Sequence, residues 1–181
     1  MKYLIILIVV IGLAVAATTM RAKEESSVKV GDKAPDFKLT DDTGKVRSLS
    51  EFNGQKVALY FYPKDDTPGC TKEACSFRDD HDIYAKHGIV VIGVSYDSPE
   101  SHKKFKEKYN LPFILVSDKD KSLSKTYGAY GKFVAKRYTY LIDETGKVIH
   151  VFKDVDVTAH ANDVLNAFGI SRKTTNTETK N

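Results

Sequence analysis

Both cysteines of this 181-residue chain, Cys70 and Cys75, lie in the stretch from Tyr60 to Cys75. The stretch reads as an apolar strand (Val57 to Tyr62), a turn-rich loop (Pro63 to Gly69) and a helix that starts at or just before Cys70. Pro68 suits a first helical turn, where its missing N–H is not needed. A thiol at that point meets the positive end of the helix dipole and a set of backbone N–H groups without helical acceptors. Both favour the thiolate, the nucleophilic form of cysteine. Ionisation alone has a bounded effect. A free thiol is roughly 3 % ionised at pH 7, so complete ionisation multiplies the reactive fraction by about 30. One donor aimed at charge developing in a transition state is worth about 100- to 1,000-fold. The donors around Cys70 therefore matter more, and the local candidates are its own N–H and the Thr67 hydroxyl. Pro63 offers no donor and walls the pocket against water.

A structural disulfide is the plain alternative for two cysteines in an exported protein. On a continuous helix, residues i and i+5 point about 140° apart with Cα atoms roughly 8–9 Å from each other. A disulfide tolerates no more than about 7 Å. A bond between Cys70 and Cys75 therefore requires the first turns to unwind, which suits a redox switch better than a staple.

The elements around this stretch alternate between strands and helices. Short segments at 36–40 and 45–49 flank Asp41-Asp42-Thr43-Gly44 and read as a β-hairpin, after which Ser50 is placed to cap a brief helix. The helix after Cys70 carries Cys70, Ala74, Phe77, His81 and Tyr84 on one stripe and runs to Gly88. That stripe is core packing, with His81 a packed or hydrogen-bonded residue. Ile89 to Tyr96 is a second buried strand, and Asp97-Ser98-Pro99-Glu100 starts a lysine-rich surface helix. Phe113 to Val116 is a third strand, and Asp118 caps a short helix ending near Gly128. A hairpin over 137–152 and a closing helix over Thr158 to Phe168 complete the pattern. Periodicity alone supports an α/β class.

The ends read differently. Residues 1–22 form a targeting segment: Lys2, then an apolar run from Tyr3 to Ala17, with small residues at 14–16 suited to a signal peptidase. The expectation is export to a periplasmic or other extracytoplasmic location, by a cleaved signal peptide or with membrane anchoring through residues 3–20. A linker covers 23–28, one domain 29–170, and a polar, disordered tail 171–181.

Other chemistries fare poorly. The net charge of +4 is modest and spread out, which argues against a nucleic-acid partner. The five histidines show no ligand spacing, and two cysteines alone do not complete a zinc site, so no metal is called for. There is no GxGxxG loop, no serine elbow and no Cys-x-x-Cys, and Cys70 lacks a sequence-indicated base for hydrolysis.

The motif Phe61-Tyr62-Pro63…Thr67-Pro68-Gly69-Cys70-Thr71-x-Glu73-x-Cys75 resembles the active-site signature of the peroxiredoxins, and the second cysteine at +5 resembles their Q-type branch, also called bacterioferritin comigratory protein. The likeness runs from about Val30 to Ile170. It implies a thioredoxin-like fold, a central mixed β-sheet flanked by helices, with an N-terminal β-hairpin. It implies that Cys70 is the peroxidatic and Cys75 the resolving cysteine, that Thr67 and Pro63 shape the pocket, and that the family's pocket arginine is Arg137, beside Lys136. The activity implied is reduction of hydrogen peroxide and organic hydroperoxides through a sulfenic acid and a Cys70–Cys75 disulfide. Thioredoxin or a thioredoxin-like protein recycles that disulfide, the protein works as a monomer, and no cofactor is required. Two readings from other classes stay open: an exported thiol-disulfide exchange protein, and a non-catalytic module stapled by Cys70–Cys75.

Overall fold

The computed structural model describes residues 28–171. The leader at 1–22, the linker up to residue 27 and the tail from 172 lie outside the described residues. Strand β3 (Lys56–Phe61) is an interior strand of a seven-stranded sheet with order β2-β1-β5-β4-β3-β6-β7. It pairs in parallel with β4 (Ile89–Ser95), which pairs in parallel with β5 (Ile114–Ser117). On its other side β3 meets β6 (Tyr138–Ile142) antiparallel, and β6 meets β7 (Val148–Phe152). The hairpin expected at the N-terminus is β1 (Leu39–Asp41) and β2 (Val46–Arg47), joined antiparallel to the β5 edge. This is the mixed sheet of the thioredoxin-like fold.

β3 is buried on both faces because both faces are covered. Val57, Leu59 and Phe61 enter one core, packed with Leu49, Phe52, Leu123 and Tyr127. Ala58 and Tyr60 enter the other, against Cys70, Ala74 and Phe77 of α1 (Pro68–Asp79), Tyr84 of α2 (His81–Lys86), Phe105 of α3 (Pro99–Tyr109) and Val164 and Leu165 of α5 (His160–Ala167). Gly93 on β4 makes room for this second core. A Cβ there would stand 2.7 Å from Leu115 Cδ2 and 2.8 Å from the Tyr60 ring.

The local chemistry departs from expectation in two places. The helix after Cys70 does not run unbroken to Gly88: it stops at Asp79, and a second helix starts at His81. Both segments still place their large apolar residues, Phe77 and Tyr84, in the same core, while His81, expected on the same stripe, is only half-buried and outside it. The brief turn after β2 is a 3-10 helix over Leu49–Phe52, and its cap is Ser48, not Ser50. Glu51 completes a capping box by accepting the Ser48 N–H at 2.7 Å. Asp118 behaves as expected, its carboxylate accepting the N–H groups of Leu123 and Ser124 at 3.0 and 2.8 Å as α4 (Ser122–Thr126) begins. Among the described residues, no helix is long and apolar enough to cross a membrane.

Candidate active site

The end of β3 delivers the chain into the loop 63–67, and Thr67 stands in extended backbone (φ −93°, ψ 150°) as the residue that opens α1. Pro68 takes the first helical position, so Cys70 falls in the first turn with the N–H groups of Gly69 and Cys70 free of helical acceptors. The Cys70 side chain is buried. β6 closes the pocket from the other side. Tyr138 pairs with Phe61, so Arg137, one residue earlier, reaches the end of β3 where α1 begins. Its Nη2 donates to Cys70 Sγ at 3.2 Å. Lys136 is exposed and lies over the Tyr138 ring instead, so of these two neighbouring cations it is Arg137 that contacts the sulfur.

The other arm of the Arg137 fork, Nη1, pairs with the Glu73 carboxylate. Glu73 lies one helical turn from Cys70 on the core side of α1 and is wholly buried. Burial pushes its carboxyl up to about 7, and the charge and hydrogen bond of Arg137 pull the other way without winning. His160 of α5 stands 3.9 Å from Glu73 Oε1, with its Nε2 against Thr139 Oγ1 at 2.8 Å. Burial, followed by the nearby Arg137 charge, holds His160 down to about 4, so it is a neutral imidazole at pH 7. Arg137 is thus the cation shared between a sulfur and a buried carboxylate. The expectation missed Glu73, His160 and Thr139. Glu73 had a signal: at i+3 from Cys70, beside Ala74 and ahead of Phe77, it puts a carboxyl on an otherwise apolar stripe.

The Thr67 hydroxyl is spent differently from expectation. It donates to the Lys64 carbonyl at 3.0 Å and makes no cap to α1. Its proton is committed to the loop, so what it can turn toward a ligand is a lone pair. Pro63 is half-buried, two residues past the end of β3. The loop is fixed by Asp65, which sequence reading also passed over. Its carboxylate accepts from the Tyr62 hydroxyl at 2.6 Å and the Ser101 hydroxyl at 2.8 Å and meets His102 Nδ1 at 2.9 Å, while its N–H donates to Asp97 at 2.9 Å.

Cys75 is half-buried on the same unbroken helix, and both thiols are free. The wound helix keeps the two sulfurs on different faces, as the spacing requires. No group of three or more histidine, cysteine or carboxylate side chains among the described residues is arranged to hold a metal ion.

Residues 30–151 match the AhpC/TSA family. A protein named putative peroxiredoxin bcp from Coxiella burnetii (strain RSA 493 / Nine Mile phase I) is 50% identical over 147 residues, 77% of this chain and 97% of that one. The crystal structure of the peroxidoxin BcpB from Mycobacterium tuberculosis superposes with a TM-score of 0.75 at 36% identity, covering 78% of this chain and 97% of that one. A PrxQ structure from Xylella fastidiosa gives a TM-score of 0.76 at 32% identity, over 80% and 98% of the two chains. These relatives do not favour a disulfide-exchange protein or a stapled module. They also overturn the expectation of export. The match uses 97% of the Coxiella relative, which leaves next to nothing in it to correspond to residues 1–22. The periplasmic or extracytoplasmic location and the anchor at 3–20 are withdrawn. The apolar run from Tyr3 to Ala17 falls short of the roughly 20 residues that span a bilayer, and hydrophobicity with a single lysine is a weak address by itself.

Proposed function

Because the chain belongs to the AhpC/TSA family and is a thiol peroxidase of the Bcp and peroxiredoxin Q kind, we propose that Cys70 is its peroxidatic residue and Cys75 its resolving residue. The observation that carries this reading is the 3.2 Å contact from Arg137 to Cys70 Sγ at the buried start of α1. Arg137 is itself held in place by Glu73.

The Cys70 thiolate attacks the terminal oxygen of hydrogen peroxide or an organic hydroperoxide. A new S–O bond forms, the O–O bond breaks, and the leaving oxygen departs as an alkoxide or hydroxide that takes up a proton. Arg137 and the N–H groups of the first turn stabilise the charge as it moves onto oxygen. The Thr67 oxygen, its own proton given to Lys64, accepts the O–H of the attacked oxygen. Pro63 keeps water from that wall. The product is the Cys70 sulfenic acid. The first turns of α1 then unwind, and the Cys75 thiolate attacks the sulfenic sulfur. An S–S bond forms, the S–O bond breaks, and the oxygen leaves as hydroxide, which takes up a proton to become water. Thioredoxin or a thioredoxin-like dithiol protein reduces that disulfide by exchange. One chain supplies both sulfurs, so a monomer suffices, and no metal or organic cofactor enters any step.

Stopped-flow mixing of the reduced protein with hydrogen peroxide, followed by mass analysis of the cysteines, tests the reading. Cys70→Ser should abolish peroxide consumption. Cys75→Ser should complete the first turnover and stop at the sulfenic acid, with thioredoxin-coupled recycling lost. Sustained recycling in Cys75→Ser would remove the resolving role.

A further inference from the structure

Helix α3 braces the stretch that carries both cysteines. Its first turn holds Asp65 through Ser101 and His102, as described above. Its last turn holds the next residue: the Asp66 carboxylate takes Lys108 Nζ at 2.8 and 2.7 Å and the Tyr109 hydroxyl at 2.6 Å. Asp66 adopts a left-handed backbone, φ 56°, just before Thr67. The same last turn reaches the far side of the stretch, where Arg78 Nη1 donates to the Tyr109 carbonyl at 2.9 Å. Arg78 is steadied there by Asp79, 2.7 Å from its Nη2. Tyr109 therefore touches both flanks of residues 67–77, with its hydroxyl upstream of Cys70 and its carbonyl downstream of Cys75. Neither of these hydrogen bonds goes to a sulfur.

We propose that Tyr109 is a positioning residue for the disulfide step, setting how readily the first turns of α1 unwind; this rests on the reading of Cys75 as the resolving residue. Unwinding breaks the first-turn bonds, beginning with Thr71 N–H to Thr67 O at 2.8 Å. A stretch pinned at both ends gains less chain entropy on unwinding than one released at an end. The Tyr109–Asp66 bond, made to the wound form of the loop, adds to the same barrier. The brace thus sets a competition for the sulfenic acid. Cys75 can attack it, expelling water and closing the disulfide. Otherwise a second hydroperoxide oxidises it to the sulfinic acid while its own O–O bond is reduced to alcohol or water. A tighter brace prolongs the sulfenic acid and favours the second outcome at high peroxide.

The test uses the full chain and two phases of one stopped-flow trace, peroxide attack and disulfide closure. Tyr109→Phe keeps the ring against Phe105 (centroids 5.4 Å apart) and the carbonyl for Arg78, and removes only the hydroxyl. The attack phase should be unchanged, the closure phase about two- to tenfold faster, and the sulfinic acid found by mass at high peroxide should fall. Asp66→Gly, at a backbone angle that suits glycine, should also speed closure. Adding Tyr109→Phe to it should change nothing more, because the hydroxyl acts through that carboxylate. An unaltered closure phase in Tyr109→Phe, or a further gain from it in the Asp66→Gly background, would overturn the proposal and leave the role of Cys75 standing. A closure phase that persists in Cys75→Ser would instead overturn the reading beneath it.

Discussion

Replacing Arg137 with methionine separates what this residue does for chemistry from what it does for the fold. The substitution keeps most of the side-chain volume and removes the guanidinium that bridges Cys70 Sγ and Glu73. Loss of the donor should lower the rate of peroxide attack about 100- to 1,000-fold. The effect on stability is different in kind and depends on pH. Glu73 is raised from 4.5 to about 7 with Arg137 beside it, because burial outweighs the attraction. A raised carboxyl stabilises the fold fully below its unfolded value of 4.5, and that stability is lost as pH rises through the folded value. The wild-type loss between those limits is about 3 kcal/mol at ~1.4 kcal/mol per unit. Above about pH 7 the wild-type carboxyl is ionised against Arg137 and the loss stops growing. Without Arg137 the carboxyl stays protonated to higher pH. The variant should therefore run parallel to wild type below pH 7 and fall behind by ~1.4 kcal/mol per unit above it. Urea unfolding from pH 5 to pH 9 reads the slope, and single-turnover stopped flow reads the rate. Adding Glu73→Gln should remove the extra slope and leave the rate low. Identical pH profiles for wild type and Arg137→Met, or a rate within about threefold of wild type, would refute this account of the shared cation.

Two further perturbations probe the pocket and the core. Thr67→Val should slow peroxide attack about tenfold while Thr67→Ser stays near wild type, since only the oxygen is used, as the acceptor of one hydrogen bond. Because the side chain caps nothing, unfolding experiments should find stability changed by less than about 1 kcal/mol. Gly93→Ala should cost about 1–3 kcal/mol in urea unfolding through the clash with Leu115 and Tyr60, with no change in the single-turnover attack rate.

Several features were legible along the chain because they depend on neighbours in sequence. A proline in the first turn of a helix, a cysteine two residues later and a second cysteine one turn and a half beyond are local facts, and so is the need to unwind α1 before they can bond. The alternation of buried strands and capped helices is equally local. It located β3, β4, β6 and β7 to within a residue or two at each end, and the hairpin around Asp41 to Gly44, whose strands are shorter than the expected 36–40 and 45–49. The break at Asp80 was not legible, since Phe77 and Tyr84 remain at helical spacing across it. The apolar leader shows the opposite hazard: a local pattern taken as an address, when hydrophobicity alone does not specify one.

What no local pattern held was the electrostatics of the pocket. Glu73 is an ordinary exposed-helix residue by composition, and burial by β6 and α5 makes it a carboxyl that ionises near 7. Arg137 is one of two adjacent cations until the pairing of Tyr138 with Phe61 turns it toward the sulfur and Lys136 toward solvent. Asp65, Asp66 and Tyr109 acquire their roles only when α3, more than thirty positions downstream, packs beside the loop. Local chain geometry placed the two cysteines on one helix, the first of them in its opening turn, because backbone geometry acts over a few residues. Tertiary structure decided which charges surround that sulfur, because charges interact through space and their strength is set by how much water the fold excludes.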